Sequence, residues 1–261
     1  GERSRDRLPS RRQFLKLSAL AAASAALPGT LPARAAPGGA GDNHDAGLSG
    51  YEAHLERTRR LRAGDSLSQI TRDFCTAWGI KHTVLPMSDQ PVRTMVETDE
   101  GELAFQEYFV HRKCEPRVKG FRFEGVDVAE PAPGAREALQ SADAVVICPS
   151  NPWVSVDPIL KVVKKMDKPV FAVSPIIGGQ TVKGPAAKMY RELGIEPSAL
   201  AVANHYQGLL KGFVIDTLDA ELKESVRGLN MRVCVTNTLM KSHDDRMQLA
   251  MEVLDFIREA I

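Results

Sequence analysis

One stretch of this chain limits its fold more than any other: residues 142–160, ADAVVICPSNPWVSVDPIL. Its first half contains Ala144-Val145-Val146-Ile147-Cys148, apolar and β-branched with no polar alternation. That is how a strand buried on both faces reads. From residue 155 to 166 the spacing turns helical, with Val156, Ile159, Leu160 and Val163 on one side. Between the two lies Pro149-Ser150-Asn151-Pro152-Trp153. A doubly buried strand feeding an amphipathic helix is the unit of a parallel α/β sheet, and open sheets of that kind bind ligands at the carboxyl ends of their strands. A sharp strand-to-helix loop aims backbone N–H groups, hydroxyls and a helix N-terminus at one spot. An anion there gains roughly 0.3–1 kcal/mol from the helix dipole alone. Ser150, Asn151 and Ser155 are therefore candidates to hold part of a phosphorylated ligand, and Pro152 between them belongs to the same candidate substrate-binding set. The competing reading is a capped turn in which Asn151 or Ser155 serves only as N-cap.

The rest of the chain extends the same pattern. Helical spacing is predicted over residues 51–61, and over 67–78 after an Asp65-Ser66 cap. Strands are predicted at 81–86, 91–98 and 121–128. Residues 103–110 fit strand or helix, with Phe105, Tyr108 and Phe109 slightly favouring a helical face. A short helix follows at 135–141. Strands at 144–148, 169–173, 213–215 and 231–235 then alternate with helices at 156–166, 185–193, 199–206, 220–228 and 244–260. Strands alternating with helices imply right-handed crossovers and a mainly parallel sheet. The expected fold is α/β: a three-layer Rossmann-like, mainly parallel sheet with a small inserted α+β subdomain around residues 91–110.

A second loop follows the 169–173 strand and reads SPIIGGQTVKGP. Gly178 and Gly179 permit close backbone approach to a ligand, and Lys183 is a ready phosphate partner. The G-x-x-x-x-G-K-[ST] spacing of a Walker A loop is absent. Asp216 and Asp219 end the third strand; carboxylates there can orient a base or bind Mg2+, or Asp219 simply caps the next helix. His205 lies at a helix end, where it can line a ring-binding pocket or be structural. Arg93 and Thr94 could reach phosphate from the insertion, or belong to an exposed strand pair. No Ser-His-Asp order and no HExxH motif stands out, so no catalytic residue and no metal ligand is assigned. The formal net charge of +1 gives no case for nucleic acid. The four cysteines have no CxxC pairing, which leaves neither a disulfide framework nor a zinc site indicated.

The front of the chain differs from the rest. Ser10-Arg11-Arg12-Gln13-Phe14-Leu15-Lys16 matches the twin-arginine export pattern, followed by an apolar stretch at 17–27 and an A-x-A-like site, Ala33-Arg34-Ala35. The apolar stretch is short of the ~20 residues a membrane span needs. The domain reading is a twin-arginine-type leader at 1–35, a flexible Gly- and Ala-rich linker at 36–50, and an α/β domain at 51–261.

PSNPWVSVDPIL, VSPIIGGQTVKGPAAKM, VANHY and GFVIDTLD, with HLERTRRLRAGDSLSQIT, LPMSDQPVRTMVETDEG and FQEYFV, resemble the 2-phospho-L-lactate transferases of coenzyme F-420 biosynthesis. The resemblance runs from about residue 51 to the C-terminus. It implies a transferase that moves a 2-phospho-L-lactate or phosphoenolpyruvate unit from a diphosphoguanosine donor to the terminal ribityl hydroxyl of 7,8-didemethyl-8-hydroxy-5-deazariboflavin, releasing GMP. Mg2+ is the implied cofactor. In that scheme Ser150, Asn151 and Ser155 hold ligand at the first strand end, and Gly178, Gly179 and Lys183 line the same crevice. The family's N-terminal Gly-rich strand-loop and metal-binding aspartates have no counterpart here, so a non-catalytic nucleotide- or deazaflavin-binding relic is the competing reading. Family substrates are cytosolic, which conflicts with the export-like leader. Members are often dimers, although these residues carry no interface signal.

Overall fold

The computed structural model describes residues 50–164, 166–182 and 184–261. The leader and most of the linker lie outside these residues, as does Lys183. Two helices open the described chain, α1 (Gly50–Ala63) and α2 (Leu67–Ala77). Ser66 caps α2 by accepting from the Gln69 N–H. Three antiparallel strands follow: β1 (Arg93–Thr98), β2 (Gly101–Ala104) and β3 (Val118–Glu124), in the order β2-β1-β3. The insertion expected at 91–110 supplies β1 and β2 of this small sheet, and β3, outside those bounds, completes it.

The main sheet contains β4 (Val145–Ile147), β5 (Val170–Val173), β8 (Gly212–Asp216) and β9 (Arg232–Thr236), all parallel and in that order. Between β5 and β8 lies a small hairpin, β6 (Ile176–Ile177) and β7 (Gln180–Thr181). The helices are α3 (Ala135–Ser141), α4 (Asp157–Val163), α5 (Ala186–Glu192), α6 (Ala199–His205), α7 (Lys223–Arg227) and α8 (His243–Ala260).

The strand alternation explains the three layers. Val170 and Ala172 of β5, with Phe213 and Ile215 of β8, face the cluster that contains Val202 and Ala203 of α6 and Val226 of α7. Phe171, Val173 and Val214 point the other way, against Leu249, Val253, Phe256 and Ile257 of α8. Successive side chains leave opposite faces of a strand, so a run with no polar residue must be covered on both.

The expectations fail where a local pattern had no neighbour to answer it. Residues 81–86 form no strand. Leu85, Pro86 and Met87 run irregularly and, with Val145 of β4 and Ala138 of α3, line a small apolar cavity of about 40 Å3. A strand needs a ladder partner, and this segment satisfies its apolar residues by packing instead. Residues 103–110 divide into β2 and a π-helical turn, Glu107–His111. Gly101, at φ 118°, turns the chain so that Leu103 faces Val96, and the buried Tyr108 fixes the turn beyond. β3 starts and ends earlier than the pattern suggested, because Gly125 at φ 85° turns the chain out of the sheet. The helix expected at 220–228 is a 3-10 turn (Thr217–Leu222) running into α7.

Candidate functional site

Because the four main strands are parallel and consecutive, the loops after β4, β5, β8 and β9 all emerge at one edge of the sheet. The loop after β4 carries Ser150, Asn151, Pro152 and Ser155. Pro152–Val156 forms a π-helical turn that leads directly into α4. The Asn151 side chain caps this turn, its Oδ1 accepting from the N–H groups of Trp153 (3.1 Å) and Val154 (3.4 Å). The Asn151 carbonyl accepts from Ser155 and Val156 N–H, while Asn151 Nδ2 donates to Met189 Sδ at 3.2 Å. Pro152 is buried and has no N–H to offer. The N–H groups of residues 153–156 are therefore spent inside the loop, whereas the hydroxyls of Ser150 and Ser155 are not among the groups that close it.

Trp153 locks this loop from behind, a role the sequence reading missed. Its ring lies 4.1 Å from Tyr190, 5.9 Å from Phe121, and edge-on to His205 at 5.7 Å. The available signal was a large aromatic between two capping candidates. His205 is half-buried and its Nε2 lies 2.8 Å from Asp157 Oδ1, which ties the end of α6 to the start of α4. Tyr190 and Tyr206 are buried beside this pair. Burial, reinforced by the Asp157 charge, pushes both phenols well above the usual tyrosine range.

The inserted subdomain holds the same loop from the other side. Thr94 Oγ1 donates to the Val154 carbonyl at 3.4 Å, and Val154 packs in one cluster with Val96, Tyr108, Val118 and Met189. Arg93, by contrast, is exposed and stands 3.9 Å from Glu124 within the subdomain sheet.

Gly178 and Gly179 form the tip of the β6–β7 hairpin, at φ 54° and 72°. That backbone region is open chiefly to glycine. The Gly178 N–H donates to both carboxylate oxygens of Asp219 at 3.1 Å. Asp219 is thus a link between the β5 and β8 loops. Asp216 is the residue that caps the following turn, accepting from Leu218 N–H at 3.0 Å. It also accepts from the N–H and hydroxyl of Thr238 at 2.8 and 2.9 Å, which joins the β8 and β9 ends.

These partners separate the two carboxylates. Burial alone would raise the Asp216 carboxyl, yet four hydrogen bonds, from Leu218, Thr238 (two) and Thr217, hold it below the usual range. Burial also raises Asp219; the single Gly178 donor offsets this only in part, and the neighbouring Asp216 and Glu221 charges push the same way as burial. Among the described residues no cluster of three or more His, Cys, Asp or Glu side chains is arranged to hold a metal ion. Asp216 is committed on both oxygens, so Asp219 is the one carboxylate of the pair with accepting capacity to spare.

Residues 38–254 match the family model described as 2-phospho-L-lactate transferase CofD. The chain belongs to the 2-phospho-L-lactate transferase family. It is 39% identical to the 2-phospho-L-lactate transferase of Methanopyrus kandleri, over 83% of this chain and 70% of that protein. It is 38% identical to the enzyme of the same name from Methanosarcina mazei, over 76% of this chain and 66% of that protein. It is also 38% identical to the phosphoenolpyruvate transferase of Streptomyces griseus, over 80% and 69%. The chain thus spans about two thirds of the length of these relatives. A solved structure of a UPF0052 family protein from Bacillus halodurans shares the fold, with a TM-score of 0.52 at 14% identity over 76% of this chain and 70% of that one. Residues 9–28 match the model of twin-arginine translocation signal sequences. No described helix is long and apolar enough to cross a membrane. Within this family's fold, the loops that join Ser150 to Asp219 are the candidate transferase site.

Proposed function

We propose that this chain transfers a phospho-carboxylate unit, 2-phospho-L-lactate or phosphoenolpyruvate, from a diphosphoguanosine donor to the ribityl hydroxyl of a deazaflavin, releasing GMP. The observation that carries this reading is family membership together with a sheet edge at which both candidate ligand loops emerge. In the proposed scheme the Ser150 and Ser155 hydroxyls contact the donor's phosphate oxygens, and Asn151 holds the loop that presents them. The Gly178–Gly179 tip brings backbone close to the ligand, and Lys183 adds a positive charge. Transfer of this kind is chiefly positioning plus charge neutralisation. The alcohol oxygen of the acceptor forms a new bond to phosphorus as the bond to the GMP leaving oxygen breaks, and the alcohol proton passes to base or solvent. Mg2+ belongs to the proposal as a partner of the donor diphosphate, because such ions are commonly held largely by substrate phosphates and water. His205 acts through Trp153, fixing the back of the loop rather than touching the ligand. Arg93 stands on the subdomain sheet as a candidate for steering an anionic donor.

The test is GMP release by the purified protein given deazaflavin, donor and Mg2+. Deazaflavin-dependent GMP is the expected result; a folded protein that releases none refutes the reading. Both donors belong in the assay, since the relatives carry both names. Asn151→Ala removes the loop cap, which costs about 0.5–2 kcal/mol of stability. It is expected to lower turnover well beyond that of a stability-matched control, as is Lys183→Ala. Wild-type turnover in both variants would remove these roles.

A further inference from the structure

The two candidate loops are held by different means. Asn151 closes the loop after β4 from within, whereas Asp219 holds the tip of the β6–β7 hairpin from outside it. The hairpin ladder consists of two residue pairs, Ile176↔Thr181 and Ile177↔Gln180. A two-stranded hairpin of that size is at best marginally stable by itself. Its base is fixed in the core. Ile176 is fully buried in the cluster that contains Val202 and Ala203 of α6. Ser174 Oγ accepts from the Ile176 N–H at 3.2 Å and donates to the Ile176 carbonyl at 2.8 Å. The tip differs from the base. Gly178 is exposed, and neither tip glycine has a side chain with which to pack, so backbone contacts set where the tip stands.

Asp219 itself stands on a rigid frame. The 3-10 turn Thr217–Leu222 departs from helical φ/ψ at Asp219, at φ −105° and ψ 16°. The residue is 3% exposed, and both of its carboxylate oxygens accept from the Gly178 N–H at 3.1 Å. The start of the same turn is pinned by Asp216, which accepts from the Leu218 N–H and from the N–H and hydroxyl of Thr238. β8, which leads into the turn, is buried along its whole length. A line of hydrogen bonds therefore runs from the β9 end through Asp216 and the turn to Asp219, and from Asp219 to the exposed tip. Groups that meet a ligand hold it in one geometry only when a supporting layer holds them.

We propose that Asp219 is the positioning residue of the second candidate loop: by holding the Gly178 N–H, it fixes where the Gly178–Gly179 backbone stands when the donor's phosphates bind. The identity of the ligand rests on the transferase reading, whereas the hold on the tip does not. A tip released from Asp219 offers the donor a spread of backbone positions, and group transfer is sensitive to displacements of about 1 Å. The consequence falls on the donor, whose phosphate oxygens accept from backbone N–H groups. It falls less on the deazaflavin, which carries no phosphate.

Amide hydrogen exchange over residues 177–181 of the full chain, read without substrates, tests the hold. Asp219→Ala is expected to speed exchange there at least about tenfold while β8 and α8 keep wild-type protection. Asp219→Asn leaves one carbonyl oxygen for the Gly178 N–H and is expected to recover most of the protection. Initial-rate kinetics test the consequence. Asp219→Ala is expected to raise the donor KM at least about tenfold and to leave the deazaflavin KM within about twofold, with Asp219→Asn close to the wild type. Unchanged exchange at the tip in Asp219→Ala, or exchange that rises equally in β8, overturns the positioning role. So does a donor KM that stays put while the tip loosens, or a rise in both KM values together. If the wild type releases no GMP while Asp219→Ala still loosens the tip, the transferase reading fails and the hold on the tip stands.

Discussion

At the scale of single residues, the two aspartates after β8 show how hydrogen-bond count outweighs burial. Asp216 and Asp219 are three residues apart and equally buried, at 3% exposure each. Asp216 accepts four hydrogen bonds and is depressed, while Asp219 receives one shared donor and is raised. A depressed carboxylate contributes stability that is present above its unfolded pKa and lost as pH falls through its folded pKa. A raised one contributes in the opposite sense, so the ionised Asp219 weighs against folding at neutral pH, and that cost lifts as pH falls through its folded value. Asp216→Ala leaves the Thr238 N–H and hydroxyl without their acceptor and is expected to cost about 1–3 kcal/mol. Asp216→Asn should keep part of that bonding and flatten the acid side of the stability profile. Urea unfolding at neutral pH and at pH values in the ordinary carboxylate range checks both. An Asp216→Asn profile as steep as the wild type would show that another group carries the acid dependence.

At the scale of elements, the sheet is set by how closely β5 and β8 lie beneath α8. Gly212 opens β8 opposite Phe171, and a Cβ placed there would meet the Phe171 ring at 2.6 Å and the Phe256 ring at 2.8 Å. Those two rings are already in an edge-to-face contact at 5.6 Å. Gly212→Ala must displace one of them, and overpacking of this kind costs about 1–3 kcal/mol. A lower midpoint of thermal unfolding is the expected outcome, and an unchanged midpoint would mean that α8 shifts freely on the sheet. The subdomain is attached through comparable close contacts. Glu192 of α5 accepts from the Val118 N–H at 3.0 Å and pairs with Lys188, which also donates to the Pro116 carbonyl. These contacts, with Thr94 on Val154, brace the antiparallel strands against the loop they support.

At the scale of the whole molecule, the chain places two candidate loops, two linked aspartates and a supporting subdomain on one sheet edge. A ligand that binds only this folded arrangement stabilises it, by about 2.7 kcal/mol at a hundredfold excess over its Kd. Deazaflavin or the guanosine diphosphate-linked donor is therefore expected to raise the unfolding midpoint, as read by calorimetry. A midpoint unmoved by both would count against the proposed transfer at its binding step, before any chemistry.

The sequence by itself determined the α/β class, the order of the main strands and helices, the position of the candidate loops and the export-like leader. Each rests on a local signal: an apolar run, a helical spacing, a glycine pair, a twin arginine. Ser150 to Ser155, Gly178 and Gly179 were legible because loops at strand ends carry their residue types in sequence. Only the tertiary structure decided which groups those loops keep free. Asn151 consumes N–H groups that the helix start seemed to offer, and Gly178 gives its N–H to a carboxylate 41 residues away. It also decided that residues 81–86 lack a strand partner among the described residues and that Trp153 backs the loop. Each of these depends on what stands opposite a residue across the fold, and periodicity along one chain does not encode that.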